Sequence, residues 1–141
     1  MSKFWQIYAW GTIIISFGFL FLVGFWLLYP YKTVTFKNSP FPVDKKVYKV
    51  GDTLIYKAEY CKYSNINPTV TRYFNDGIVY MLSSNPAFIK PTGCSVANVQ
   101  IKVPDTLLPD TYKIQINYSY KVNPIRTVDV QAETDRFEIT K

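Results

Sequence analysis

Two cysteines, ten carboxylates and twelve tyrosines are the side chains with chemistry to offer in this chain, and it contains no histidine. That absence excludes a Ser-His-Asp or Cys-His catalytic unit, a histidine-ligated zinc or copper centre, and a haem held by the chain's own imidazole. Cys61 and Cys94 stand 33 positions apart. On the oxidising side of a membrane they are expected to pair, tying an irregular segment to a sheet, and loop-closure entropy gives such a bond about 3 to 4 kcal/mol; the alternative is two buried thiols. Neither a CxxC redox pair nor a four-cysteine metal site is present. The carboxylates are Asp44, Asp52, Glu59, Asp76, Asp105, Asp110, Asp129, Glu133, Asp135 and Glu138. They form no D-x-D-x-D calcium loop, and Asp76, Asp105 and Asp110 fall in turns, where aspartate bonds its own backbone. No spacing places two of them in one cleft as acid and base. We therefore assign no catalytic residue, no cofactor and no metal, and expect a protein that is not an enzyme.

These side chains must be positioned by two unlike regions. From Phe4 to Tyr31 the chain runs 28 residues without a formal charge. As a helix this is roughly 40 Å, more than the approximately 30 Å of a bilayer's hydrocarbon core. Trp5, Tyr8 and Trp10 precede the apolar centre, while Trp26, Tyr29 and Tyr31 follow it, as two interfacial belts require, and Pro30 stops the helix. The stretch is too long for the apolar part of a cleaved signal peptide, and no small-x-small site follows Leu28, so residues 1–31 read as an uncleaved membrane anchor. Gly11 and Gly18 share a face that could receive another helix, leaving a homo-oligomer open.

Orientation draws opposing arguments. Lys32, Lys37, Lys45, Lys46 and Lys49 outnumber Lys3 across the span, which favours a cytoplasmic C-terminal part. Two cysteines in a β-rich module favour the oxidising side, and large following domains translocate despite their charge. The expectation is an inner-membrane, single-pass protein with its C-terminal part outside. Residues 32–46 read as a basic juxtamembrane linker with a first strand. Its lysines and Lys49, opposed only by Asp44, are expected at anionic headgroups, each worth about 1 kcal/mol, the alternative being a solvated linker.

Residues 47–141 have period two nearly throughout. Leu54, Tyr56, Ala58 and Tyr60 alternate with Lys57 and Glu59, so Thr53 to Lys62 reads as a strand, after a short one at Val47 to Val50. Thr69 to Phe74 and Ile78 to Leu82 flank Asn75-Asp76-Gly77, a hairpin signal. Ser83 to Gly93 reads as an irregular crossover, and Val99, Ile101 and Val103 as the next strand. The cleanest strand carries Tyr112, Ile114, Ile116, Tyr118 and Tyr120 on one face. After Asn123-Pro124, Val128, Val130 and Ala132 give way to Phe137 and Ile139. That change of parity requires a bulge or bend between Glu133 and Arg136. Tyr63, Tyr73 and Tyr80 fall outside the inward set, and exposed tyrosine beside Asn and Ser suits a binding surface.

About seven or eight short strands without helical periodicity give an all-β antiparallel sandwich behind a single transmembrane α-helix. On Val50-Gly51-Asp52-Thr53-Leu54-Ile55-Tyr56 and Leu108-Pro109-Asp110-Thr111-Tyr112-Lys113-Ile114, the module resembles the immunoglobulin-like and fibronectin-like modules of bacterial and phage surface proteins. The resemblance implies that Tyr112 is a tyrosine-corner residue whose hydroxyl bonds upstream backbone. The module departs from antibody domains in having no Trp and in placing Ile114 where they carry a second cysteine.

The function expected is non-enzymatic display of this module at a cell or virion surface, for protein–protein interaction or structural assembly. The alternatives are a filament subunit, similar to type IV pilins in joining an apolar helix to a β shell but lacking their processing site, and an accessory subunit of a membrane complex. The partners expected are the lipid bilayer and another protein, met through the sandwich or the Gly11/Gly18 helix face. Basic residues alternate along strands and no nucleic-acid-reading motif occurs, so nucleic acid is not expected. Asn117-Tyr118-Ser119 matches a glycosylation sequon in mid-strand and is read as coincidence.

Overall fold

The computed structural model describes residues 3–75, 79–82, 85–86 and 92–141. It begins with one helix, α1 (Lys3–Leu28), none of whose side chains is buried. Its most apolar window has a mean hydropathy of 2.2, and the helix is long and apolar enough to cross a membrane. Apolar side chains surround it on every face, whereas a helix covering a protein core shows one apolar stripe. Thr12 donates its hydroxyl to the Tyr8 carbonyl at 3.0 Å, so this polar side chain is satisfied within the helix. The helix stops just short of Tyr29-Pro30, because the residue before proline is pushed out of the helical region.

Ten strands follow among the described residues: β1 (Val34–Phe36), β2 (Val47–Lys49), β3 (Thr53–Lys62), β4 (Thr69–Asn75), β5 (Val79–Met81), β6 (Asn85–Pro86), β7 (Gly93–Lys102), β8 (Asp110–Asn123), β9 (Arg126–Glu133) and β10 (Phe137–Thr140). They exceed the expected number because β5 and β6 both pair with β4, and β9 and β10 both pair with β8, as interrupted runs. A small sheet has the order β1-β3-β7, and a larger one β2-β10-β8-β4-β5. The two share one core. Phe41, Tyr48, Tyr56, Phe74, Tyr112, Tyr120 and Phe137 lie fully buried in it, with Leu54, Ile114, Ile116, Ile139 and Val70 between them. Phe41 stacks on Tyr56 with centroids 5.6 Å apart, and Phe74 meets Tyr112 and Phe137 edge-on at 6.2 and 6.1 Å. Such pairs add roughly 0.5–1.5 kcal/mol to the burial itself.

The expectation of a purely antiparallel architecture is corrected at one edge. β2 runs parallel to β10, and Phe41 forms a parallel bridge with Thr134. The cause is that the chain, having paired β1 against β3, crosses to the other sheet and enters it in the same direction as the last strand.

The parity change between β9 and β10 has a simple origin. Gln115 faces Glu133, but Tyr112 faces Phe137, so one extra residue sits on the later strand. Thr134 occupies the irregularity: its N–H donates to the Ile114 carbonyl at 2.9 Å, and its Oγ1 accepts the Ile114 N–H at 3.0 Å. The ladder thus loses no buried donor. Gly51, at φ +85°, makes the turn into β3, where only glycine takes that backbone without strain.

Two further boundaries differ from expectation. The basic stretch after α1 is almost entirely folded: Thr33 and Val34 are buried, and the Tyr63 N–H donates to the Thr33 carbonyl at 2.9 Å. Only residues 29–32 link helix to fold. β7 starts at Gly93 rather than near Val99, because Gly93 to Val96 lack the alternation that marks a strand in sequence yet complete a ten-residue ladder with β3. The Asp76-Gly77 turn, the Tyr80 side chain and most of the Ser83–Gly93 crossover lie outside the described residues.

Candidate functional site

Cys61 and Cys94 face each other in the β3–β7 ladder and form a disulfide, with Cα atoms 4.0 Å apart. The inward residues of β3 are even-numbered and those of β7 odd-numbered, so the bond lies on the outer face of the small sheet. It joins two neighbouring strands, and does not tether an irregular crossover as expected. Beside it lies a shallow depression of about 160 Å³ lined by Lys37, Glu59, Tyr60, Cys94, Ser95 and Val96. Small-molecule sites usually enclose roughly 300–1,000 Å³.

The acidic groups serve local structure. Asp44 accepts from the Tyr48 hydroxyl and the Ile55 N–H, and Asp52 accepts from the Lys49 N–H at 2.8 Å. Glu133 pairs with Lys113, Glu59 with Lys57, and Asp129 accepts from the Ser119 hydroxyl. Partial desolvation raises the Asp44 carboxyl, but the bonds from Tyr48 and the backbone, with Lys45 nearby, outweigh it and hold the group below its ordinary value. No cluster of three or more metal-ligating side chains occurs among the described residues.

The inward tyrosines are packing groups. Burial pushes the Tyr56 phenol up against the opposing pull of Arg72, raises Tyr118 further, and brings Tyr120 to about 12 with Tyr60 adding to it. These hydroxyls stay protonated at neutral pH. Tyr112 donates to the Leu108 carbonyl at 2.8 Å, closing the corner that leads into β8.

The most organised polar contacts join the helix to the β fold. A helix leaves its last carbonyls without intrahelical donors. Here the β8–β9 turn supplies them. Asn123 Nδ2 donates to the Trp26 carbonyl at 3.0 Å, and Arg126 donates to the Leu27 and Tyr29 carbonyls at 2.7 Å each. The guanidinium also lies 5.7 Å from the centre of the Tyr31 ring. A cation at a helix C-terminus is favoured by the helix dipole as well as by these charge-assisted bonds.

Around this joint, Phe25, Tyr29 and Tyr31 form successive ring contacts at 5.0 and 4.9 Å. Lys32 sits 4.1 Å above the Tyr63 ring, whose hydroxyl shares a hydrogen bond with Thr35. The Thr35 bond, with Lys32 behind it, holds the Tyr63 phenol below its usual value. Lys62, inward-facing at the end of β3 and 2% exposed, donates to Asn67 at 3.3 Å. We call this end of the fold the near pole.

The lysines expected at headgroups are dispersed. Lys32 lies at the near pole. Lys37 follows β1 and bonds the Glu59 carbonyl through its N–H. Lys45 and Lys46 precede β2, whose last residue is Lys49, beside Asp52 at the other end of β3. The ten residues of β3 span about 30 Å, so Lys45, Lys46 and Lys49 are carried well away from the helix end. Trp5 and Trp10 are exposed near the helix start, and Trp26, Tyr29 and Tyr31 lie at its end as the joint. A Cβ at Gly11 or Gly18 would meet nothing within 4 Å, so that face is open. An apolar groove of about 370 Å³ lies at Phe21, Gly24, Phe25, Leu28 and Tyr29.

Sequence reasoning missed Asn123, Arg126 and Lys62. The Asn-Pro turn was legible, but its docking on residues 97 to 99 positions earlier left no local signal.

No family model matches this sequence, and no curated protein matches it. Solved structures with a distant likeness to this chain include the Pseudomonas fluorescens alkylpurine DNA glycosylase AlkC bound to DNA containing an abasic site analog, at 9% identity and a TM-score of 0.45, covering 77% of this chain and 30% of that one. Another is the β-glucosidase EmGH1 from Erythrobacter marinus, at 12% identity and a TM-score of 0.40, covering 76% and 16%. The chain spans less than a third of either, and likeness at this level carries no argument about activity.

Proposed function

We propose that this chain is a non-enzymatic, single-pass membrane protein that displays an immunoglobulin-like β-sandwich outside the cytoplasmic membrane of a bacterium or on a phage surface, for contact with another protein. The observation that carries the reading is α1, a span-length apolar helix that no part of the fold covers. Exposing such a surface to water would be costly, and lipid is its natural neighbour. The disulfide supports the oxidising side of the membrane. The Tyr112 hydroxyl, bonded to the upstream Leu108 carbonyl, supports the immunoglobulin-like description.

β7 supports the part about a protein partner. It pairs with β3 along one edge, and among the described residues no strand pairs with its other edge. Its ten residues include no proline and, apart from the terminal Lys102, no charge, so the usual protections of an edge strand are missing and strand addition is favoured.

The test is extraction and thiol reactivity of the full chain in its membrane. The reading expects retention after an alkaline wash, release by detergent, and thiol labelling only after a reductant. Release by the wash, or free thiols in untreated protein exposed only on lysis, overturns it.

A further inference from the structure

The near pole carries cations with no anions to meet them. Residues 29–36, 60–70 and 120–127 make up its linker, the β3–β4 connection and the β8–β9 turn, and these segments contain Lys32, Lys62, Lys121 and Arg126 but no Asp or Glu. Lys32 and Lys121 are exposed. Lys62 lies buried beneath them with Asn67 as its hydrogen-bond partner and, among the described residues, no carboxylate pairs with it. Between the cations stand side chains suited to an interface between water and lipid: Tyr63 is 48% exposed, and Ile125, at the tip of the β8–β9 turn, is 51% exposed.

The position of this pole relative to the bilayer is fixed from two sides. Its turn is bonded to the carbonyls that end the membrane helix, and the intervening linker is only residues 29–32. Ile125 therefore lies within a residue of the groups that cap a helix at the membrane surface.

We propose that this pole, through Lys32, Tyr63, Lys121, Ile125 and Arg126, is a second membrane contact that seats the β module on anionic phospholipid headgroups. The module then stands on the bilayer in one orientation and presents its β7 edge sideways, instead of swinging on a tether. The inference rests on the membrane reading above and adds a lipid class and an orientation to it.

The test uses the full chain in lipid nanodiscs made of phosphatidylcholine alone or mixed with phosphatidylglycerol, followed by amide hydrogen exchange. Residues 121–128 are expected to exchange more slowly in the anionic discs. Lys32→Gln with Lys121→Gln should remove that difference, each lysine accounting for roughly a five-fold change in the seated population. Unchanged protection of β3 shows that the double variant remains folded. Equal exchange of residues 121–128 in the two kinds of disc, or a difference that survives the double substitution, overturns the proposal. Protection of residues 4–28 is read in the same experiment: a protected helix with an indifferent turn sinks the seating alone, whereas a helix that exchanges freely or fails to enter discs sinks the membrane reading with it.

Discussion

Breaking the Cys61–Cys94 bond should cost this fold a large part of its stability. The bond closes a loop of 33 residues, for which chain entropy in the unfolded state gives about 3.7 kcal/mol at 25 °C. For a domain of this size each kcal/mol moves the melting temperature by about 4 °C, so reduction should lower it by about 15 °C. Cys61 is 5% exposed and Cys94 is exposed, so Cys61→Ala with Cys94→Ser removes the bond without burying a new hydroxyl. The assay is thermal unfolding of the full chain in detergent, followed by near-ultraviolet circular dichroism from the core tyrosines, with and without a reductant. The reduced protein and the double variant should melt together, well below the oxidised one. A drop of under about 4 °C in both would refute the reasoning, because it would mean that the unfolded chain already holds β3 against β7.

Three further outcomes follow from individual contacts. Thr134→Val keeps the shape of the bulge but takes away the acceptor for the buried Ile114 N–H, which should destabilise the module by about 1–3 kcal/mol in urea unfolding, while Thr134→Ser should restore most of it. Asp44 has a folded pKa below its ordinary 3.8, so the stability it contributes is complete above that value and is lost as pH falls through the lower folded one. Urea midpoints taken from about pH 5 to about pH 2.5 should fall for the native chain, and Asp44→Asn should flatten part of that slope. Arg126→Ala strips the Leu27 and Tyr29 carbonyls of their charged donor, so protease cleavage within residues 29–32 should accelerate while the melting temperature of the β module changes little.

Local pattern carried much of this fold. The uncharged run announced α1, and strict alternation placed β3 and β8, because each of these strands buries one face. The shift from Ala132 to Phe137 announced the bulge, since side-chain parity cannot change within a regular strand. What stayed hidden depends on contacts between distant segments. The parallel β2–β10 pairing joins positions far apart in the chain, and Val47 and Lys49 carry no mark of their partner. β7 began earlier than its alternation showed because Gly93 and Cys94 are held by β3. Lys45, Lys46 and Lys49 stand near the end of α1 in sequence, yet the extended path of residues 33–49 along the fold carries them away from it. Arg126 is the converse: remote in sequence from the helix and bonded to its end.

The account depends on α1 crossing the bilayer with the β module on the outer side. Protease added to intact spheroplasts expressing the full chain tests this directly. The prediction is that fragments of the β module are released once the disulfide is reduced, while a piece carrying α1 stays in the membrane. A module that resists digestion until detergent opens the membrane, or a chain that appears whole in the supernatant, contradicts it.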